Sequence, residues 1–380
     1  MIVDVERVAH GGVCVAHADD GRVVFVRHAL PGERVRVKVT EERSAYLRAD
    51  AVEVIKPSPH RVPPPCPWAG PGHCGGCDWQ HVELAEQRRL KANVVAEQLL
   101  RLAGVDREVT VSPVPGDDSG LHWRTRLRLA SDDAGRAGFR RHRSHEIEPI
   151  GDCLIAVPGA RVGELVQREW SPDVEITVDV SSSGERAVAV GRHRDTVTEE
   201  AAGRRWAVPI GGFWQVHVGA ADLLASTVVE LAAPRPEDEC LDLYSGVGLF
   251  AGALAPRVKR VTAVESDRRA VAAARRNLAD LAVDVVGDRV DRWIRRPVSA
   301  DVVVLDPPRK GAGRDVVRRL AATSARVIVY VACDPAALAR DTATLQECGY
   351  QLGELRAFDL FPMTAHVECV AAFGSRGAGS

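Results

Sequence analysis

At 380 residues the chain is too long for one ordinary domain and suits two or three. It is 46% hydrophobic, 27% charged and only 5% aromatic, the balance of a water-soluble globular protein. No apolar run approaches the roughly 18 residues of a membrane-spanning helix. The opening MIVDVERVAHGG alternates apolar and charged residues where a secretory signal has an apolar stretch. A cytoplasmic location is expected.

The formal net charge of −2 argues neither for nor against nucleic acid, but the charge is unevenly spread. Gly21 to Arg48 carries seven Lys or Arg against three Glu, and His122 to His145 carries seven Arg against Asp132 and Asp133. Basic stretches inside a near-neutral chain suit a protein that grips phosphate on one face. A solvated arginine-rich surface is the plain alternative.

Residues 1–55 read as short strands. RVVFVRHALPGERVRVKVTEE holds two Val-rich alternating runs split by the turn Pro31-Gly32, and LRADAVEVI supplies a further strand. A small β-barrel is the natural closure for strands this short and close. The Pro-rich KPSPHRVPPPCPW ends it, and a helix is expected from about Val82 to Leu102. Residues 105–205 are mixed and strand-leaning, so 56–205 reads as a central α+β region.

From about residue 206 strands and helices alternate to the end. CLDLYSG, VTAVES, VDVVGD, DVVVLDPP and RVIVYVACDP are apolar strands ending in polar or turn residues. Such strands indicate a parallel sheet covered on both faces, a Rossmann-like α/β domain over 206–380. Ligands bind beyond the carboxyl ends of such strands.

The chemistry-bearing residues sit at those ends. Asp242-Leu-Tyr-Ser-Gly246-Val-Gly248 is a glycine turn between strand and helix, where the backbone approaches a ligand closely. Two details favour S-adenosyl-L-methionine (SAM) over a dinucleotide. The third glycine of the dinucleotide fingerprint is absent, and Glu265 ends the second strand, placed to accept ribose hydroxyls. Asp306-Pro307-Pro308-Arg309 ends the fourth strand and Cys333-Asp334-Pro335 the fifth. A thiol just before a helix N-terminus is expected to have its pKa lowered by the helix dipole. An isolated cysteine is otherwise a small core residue.

GFWQVH (212–217), LDLYSGVGLFAGAL (241–254), VESDRRAVAAARRN (264–277), DPPRKG (306–311), YVACDPAALARD (330–341) and FPMTAHVECV (361–370) together resemble the RNA 5-methyluridine methyltransferases. The N-terminal segment is similar to the RNA-binding barrel called TRAM, and HWRTRLRLA (122–130) more loosely to a central RNA-binding region. The resemblance implies methylation of uridine carbon 5 through a covalent adduct, with Cys333 as nucleophile, Glu368 as the base that removes the carbon-5 proton, and Asp306 at the base edge. It implies SAM contacts from Gln215, Tyr244 and Glu265, with Asp288 and Asp306 as further candidates. Leu249 stands where the family has a polar side chain, and Asp334 where many members have Asn.

Nine cysteines without a secretory signal do not point to disulfides. Cys66, Cys74 and Cys77 form C-x7-C-x2-C in a Pro/Gly-rich loop, and Cys153 lies 76 residues beyond. Spacing alone leaves tetrahedral zinc and an iron–sulfur cluster open. The resemblance implies a structural 4Fe-4S cluster of the kind carried by members acting on 23S ribosomal RNA. Such a chain has RNA as its partner, implies no membrane or protein partner, and is expected to be a monomer. Three other readings compete: a transfer-RNA T-loop methyltransferase, an amine methyltransferase using Asp306-Pro307-Pro308-Arg309, and an RNA-binding protein without activity.

Overall fold

A computed structural model describes residues 1–191 and 193–375. Strands β1 (Ile2–Val8), β2 (Cys14–His17), β3 (Val23–Arg27), β4 (Arg34–Glu42) and β5 (Tyr46–Lys56) close into a barrel in the order β1-β2-β3-β5-β4. Its period-two pattern turns Val3, Val5, Val24, Val26, Val35 and Val37 inward as a small core. Antiparallel pairing of β1 with β4 seals the barrel and leaves no open edge.

Helix α1 (Leu84–Ala103) follows, within two residues of its expected limits at either end. Gly104, at φ 64, stops it in a left-handed cap whose N–H bonds the carbonyl of Leu100. After β6 (Val111–Pro113) come β7 (Arg126–Ser131), β8 (Ala137–Arg140), β9 (Ile147–Pro149), the short helix α2 (Val162–Val166), β10 (Glu175–Val180) and β11 (Arg186–Val190). These form a sheet in the order β11-β10-β7-β8-β9 with its own core, built around Leu129, Ile176 and Val178.

The C-terminal part starts with the hairpin β12 (Thr196–Ala201) and β13 (Arg204–Pro209), then α3 (Ala220–Ala232). Strands β14 (Glu239–Leu243), β15 (Arg260–Glu265), β16 (Val283–Gly287), β17 (Val302–Leu305) and β18 (Val327–Ala332) run parallel. Helices α4 (Leu249–Leu254), α5 (Arg268–Asn277), α6 (Val290–Trp293), α7 (Arg314–Ala321) and α8 (Pro335–Glu347) connect or cover them. Strands β19 (Tyr350–Asp359) and β20 (Glu368–Ser375) complete the order β16-β15-β14-β17-β18-β20-β19-β6. Val302 and Val304 face one core, Val303 and Leu305 the other, which is the two-sided burial expected of a parallel sheet.

Two elements of the expected central region belong to this layer instead. β6 pairs parallel with β19 at the sheet edge, and α1 lays Val95 and Leu99 into the core beneath α8. The hairpin β12–β13 likewise packs Val197, Trp206 and Val208 against Leu224 and Leu254. An apolar face read from sequence states that a partner surface exists, not which sheet supplies it. No described helix is long and apolar enough to cross a membrane.

Lys91 fastens α1 to the end of β19. Its ammonium is fully buried and lies 2.5 Å from Asp359 Oδ1 and 3.1 Å from the carbonyl of Phe361. Removing one partner of a buried pair leaves an uncompensated charge, a loss of about 3–5 kcal/mol. Lys91→Ala is therefore expected to lower the urea midpoint sharply, while Lys91→Met combined with Asp359→Leu loses far less. Equal losses in the two variants would show that the pair is not what holds α1 in place.

Candidate active site

The carboxyl ends of the parallel strands open on a cavity of about 1130 Å³. Gln215, Tyr244, Glu265, Asp306, Cys333 and Glu368 all line it. Asp288 does not. It follows β16 as expected, but its carboxylate is 2.7 Å from Nε of Arg292, one turn along the chain, while Arg289, Val290 and Asp291 reach the cavity. The sequence showed the strand end without the arginine that would claim its carboxylate.

At the β14 turn Tyr244 adopts φ 62, a left-handed conformation uncommon for a non-glycine residue. Gly248, at φ 100, has no room for a side chain: a Cβ would lie 2.6 Å from Leu278 Cδ1. One oxygen of Glu265 accepts from the N–H of Gly246 at 3.0 Å, the other from those of Ser266 and Asp267 at 2.6 and 2.7 Å. The turn is thereby tied to the neighbouring strand. Asp242 accepts from the N–H of Ala251 with Oδ2, while Oδ1 has no protein partner. Burial pushes its carboxyl up to about 8.

Strand register brings the reactive residues together. β20 runs antiparallel to β18 with Cys369 opposite Ala332, so Glu368 falls beside Cys333. Asp306 ends β17, the strand on the other side of β18, and its N–H reaches the carbonyl of Leu243 at 3.3 Å. Burial raises Asp306 to about 7, and burial together with the Asp306 charge raises Glu368 well above the carboxylate range.

The expected lowering of the Cys333 pKa is not what the structure gives. Burial first, then Glu368 and Asp306, push the thiol up to about 12. Cys333 precedes the cap of α8, and the capping residue Asp334 adds a further negative charge instead of an open helix end. The Arg309 guanidinium opposes the shift on both Cys333 and Glu368. Its Nη2 lies 3.3 Å from Nε2 of His366, a ring that burial and Arg309 keep neutral, down to about 4.

Cys66, Cys74, Cys77 and Cys153 line a second cavity of about 450 Å³, which shares Gly211, Gly212, Phe213, Trp214 and Val216 with the first. The N–H groups of Ala69 and Ala156 bond the carbonyl oxygens of Cys66 and Cys153, each at 3.1 Å. No group of three or more His, Cys, Asp or Glu among the described residues is arranged to hold a metal ion. The thiols are protonated side chains raised by burial, Cys74 to about 11 and Cys77 to about 12. The arginine stretch also divides. Arg126 is buried and bonds Asp179 and Glu199, each at 3.0 Å, so it braces the fold and does not face phosphate.

Residues 1–52 match the TRAM domain family, residues 216–330 the methyltransferase small domain, and residues 296–374 the tRNA (uracil-5-)-methyltransferase family. An uncharacterized RNA methyltransferase of Streptomyces coelicolor is 49% identical, with the match covering 97% of this chain and 91% of that one. A 23S rRNA (uracil(1939)-C(5))-methyltransferase of Pseudomonas fluorescens is 33% identical, covering 100% of this chain and 92% of its own. The chain belongs to the RNA uracil-C5 methyltransferases. The crystal structure of the Pyrococcus abyssi tRNA (uracil-54, C5)-methyltransferase with S-adenosyl-L-homocysteine matches the fold with a TM-score of 0.75 at 25% identity, covering 98% of this chain and 100% of that one.

The barrel of this methyltransferase is thus a TRAM domain and its C-terminal layer a SAM-methyltransferase fold. Two residues that sequence reasoning quoted without a role gain one from position. Arg309 is the cation that opposes the raised pKa values of Cys333 and Glu368, and Asp242 keeps an unpartnered oxygen under the glycine turn. Membership of a motif was the only signal for either.

The electrostatics predict a slow thiol. Iodoacetamide labelling of Cys333, followed by peptide mass, is expected to stay slow to about pH 9, because the thiolate is the reacting form. Arg309→Met removes the opposing cation and should slow it further, by roughly threefold, about half a pKa unit. Fast labelling at pH 7 would contradict both the burial and the charge argument.

Proposed function

We propose that the chain methylates carbon 5 of a uridine in 23S ribosomal RNA, using SAM as methyl donor and Cys333 as covalent nucleophile. The observation that carries the reading is the sharing of one cavity by Cys333, Glu368 and Asp306 with Gln215, Tyr244 and Glu265. Ribosomal RNA is favoured over transfer RNA because relatives with that printed activity match end to end at 33% identity.

SAM is the second substrate, held against Gln215, Tyr244 and Glu265, and it supplies an electrophilic methyl group. The Cys333 thiolate adds to carbon 6 of uracil, and the electron pair of the 5,6 double bond moves into an enolate. Carbon 5 then bonds the methyl group and S-adenosyl-L-homocysteine leaves. The Glu368 carboxylate takes the carbon-5 proton, the double bond re-forms, and Cys333 departs as thiolate. Asp306, raised to about 7 by burial, can donate to or accept from the base edge. The resting pocket keeps Cys333 protonated. The positive sulfonium brought in by SAM favours the ionised forms of both Cys333 and Glu368, so the thiolate belongs to the assembled complex.

A 4Fe-4S cluster on Cys66, Cys74, Cys77 and Cys153 is part of the same proposal. Four thiols share one cavity, and a cluster spans more space than a single ion. Its role is structural, since addition of a thiolate and methyl transfer need no electron. Protein purified without oxygen is expected to hold about four irons per chain with acid-labile sulfide. Zinc without sulfide in that preparation would overturn the cluster and leave the methyl-transfer reading intact.

The two central residues make the mechanism testable. Cys333→Ala is expected to abolish methyl transfer and every covalent RNA complex. Glu368→Gln keeps the shape but loses the base, so a methylated protein–RNA adduct should accumulate and survive denaturing electrophoresis. RNA carrying 5-fluorouridine should trap the unaltered enzyme in the same way, because fluorine cannot leave as a proton does. Residual methylation by Cys333→Ala, or no adduct from either trap, would refute the covalent route.

A further inference from the structure

The barrel packs against two segments that border the catalytic cavity. Its β1–β2 loop, residues 9–13, packs on the loop that precedes β20 and on the N-terminus of α8. Gly12 sits at φ 80, and any side chain there would collide with Cβ of Ala365, the neighbour of His366. Trp79 pins the contact from both sides. Its indole Nε1 donates to the carbonyl of Gly12 and its backbone N–H to that of Met363, both at 3.0 Å. At the tip of the loop His10 Nε2 lies 3.0 Å from Asp334 Oδ2. The other oxygen of Asp334 accepts from the N–H of Ala337 at 2.8 Å and so caps α8. Asp334 is therefore held at one oxygen by its own helix and at the other by the barrel.

Resting on the reading of Cys333 as nucleophile, we propose that His10 is a positioning residue for methyl transfer, which from the barrel orients and charge-balances Asp334 beside that thiol. The negative charges facing Cys333 are Glu368, Asp306 and Asp334, and the one cation is Arg309. Facing His10 are Asp334 and Arg340, both on the α8 side, and Asp334 also faces His366. An imidazolium at His10 cancels the Asp334 charge, so the thiolate is opposed by one anion fewer.

The sign follows from the pair. The hydrogen bond to Asp334 raises His10 above 6.5, and the bond from His10 is among the causes that lower Asp334 below 3.8. The ion pair exists between those two limits. As pH rises through the raised value of His10, the imidazolium is lost and Asp334 again opposes ionisation of Cys333. The benefit of His10 is thus greatest at mildly acid to neutral pH and fades above it.

The test is single-turnover adduct formation with 5-fluorouridine RNA, at saturating RNA so that binding by the barrel does not enter, from pH 6 to 9. His10→Ala and His10→Gln are both expected to slow adduct formation about threefold at pH 6.5, the equivalent of half a pKa unit. The gap should close toward pH 9. In an Asp334→Asn background, where the cap survives without the charge, His10→Ala should have almost no effect. Full activity of His10→Gln at every pH would show a merely structural contact and overturn the inference. Equal slowing by His10→Ala with Asp334 or with Asn at 334 would overturn it as well. If the unaltered enzyme forms no adduct, the nucleophile reading fails first and the role of His10 falls with it. If it does form the adduct, only the outcomes for His10 decide.

Discussion

Strand β20 enters the sheet against the direction of β18, and the pairing of Cys369 with Ala332 is what sets the character of the site. A parallel strand in that position would start at the far end of the sheet and carry Glu368 away from Cys333. The reversal instead places a carboxylate next to a thiol on the cavity wall, with Asp306 on the far side of β18. Three groups that would each be anionic when ionised share one cavity, and none ionises easily while the others are near. Their shared burial favours the protonated forms, raising Asp306 to about 7 and Cys333 to about 12. Arg309 is too little to compensate, so a cation delivered with the substrates has a natural place in the chemistry.

Much of this architecture was legible in the chain. The barrel showed itself through Val-rich alternation, because strands with one wet face must repeat every second residue. α1 showed its limits to within two residues through apolar spacing. The motif order placed Tyr244, Glu265, Asp306 and Cys333 at strand ends, and parallel topology then forces such residues into one cavity. What stayed hidden depends on which partner each side chain finds in the folded chain. Asp288 was a strand-end carboxylate until Arg292 claimed it, and Arg126 was one basic residue among seven until Asp179 and Glu199 buried it. The Cys333 thiol misled for the same reason, since a helix terminus can be read locally but the charge of Glu368 beside it cannot.

Residues 211–216 form a partition with a cavity on each side. Gln215 looks into the methyl-transfer cavity, while Gly211 to Trp214 and Val216 border both spaces. Behind the partition, Arg126 bonds the carbonyl of Gly212 at 3.2 Å and Asp179 accepts from the N–H of Gly211 at 2.7 Å. The four-cysteine side is therefore tied, through the side chains of Arg126 and Asp179, to the backbone of a segment that also lines the other cavity. A group bound among those thiols would act on the reaction through this wall, with no need to approach the uracil.

The sheet edge formed by β6 has a consequence for how the chain is made. α1 and β6 leave the ribosome long before β19 and β20, residues 350–375, which give them their neighbours. The barrel can close as soon as its own strands are out, but Val95, Leu99 and Val111 then wait through most of synthesis for a surface to cover them. Lys91 waits as well, hydrated until Asp359 arrives. Completion of the catalytic layer is thus tied to the last stretch of translation. A nascent chain that stalls late would expose the apolar face of a helix and an unpaired strand, the marks by which chaperones and proteases recognise unfinished protein.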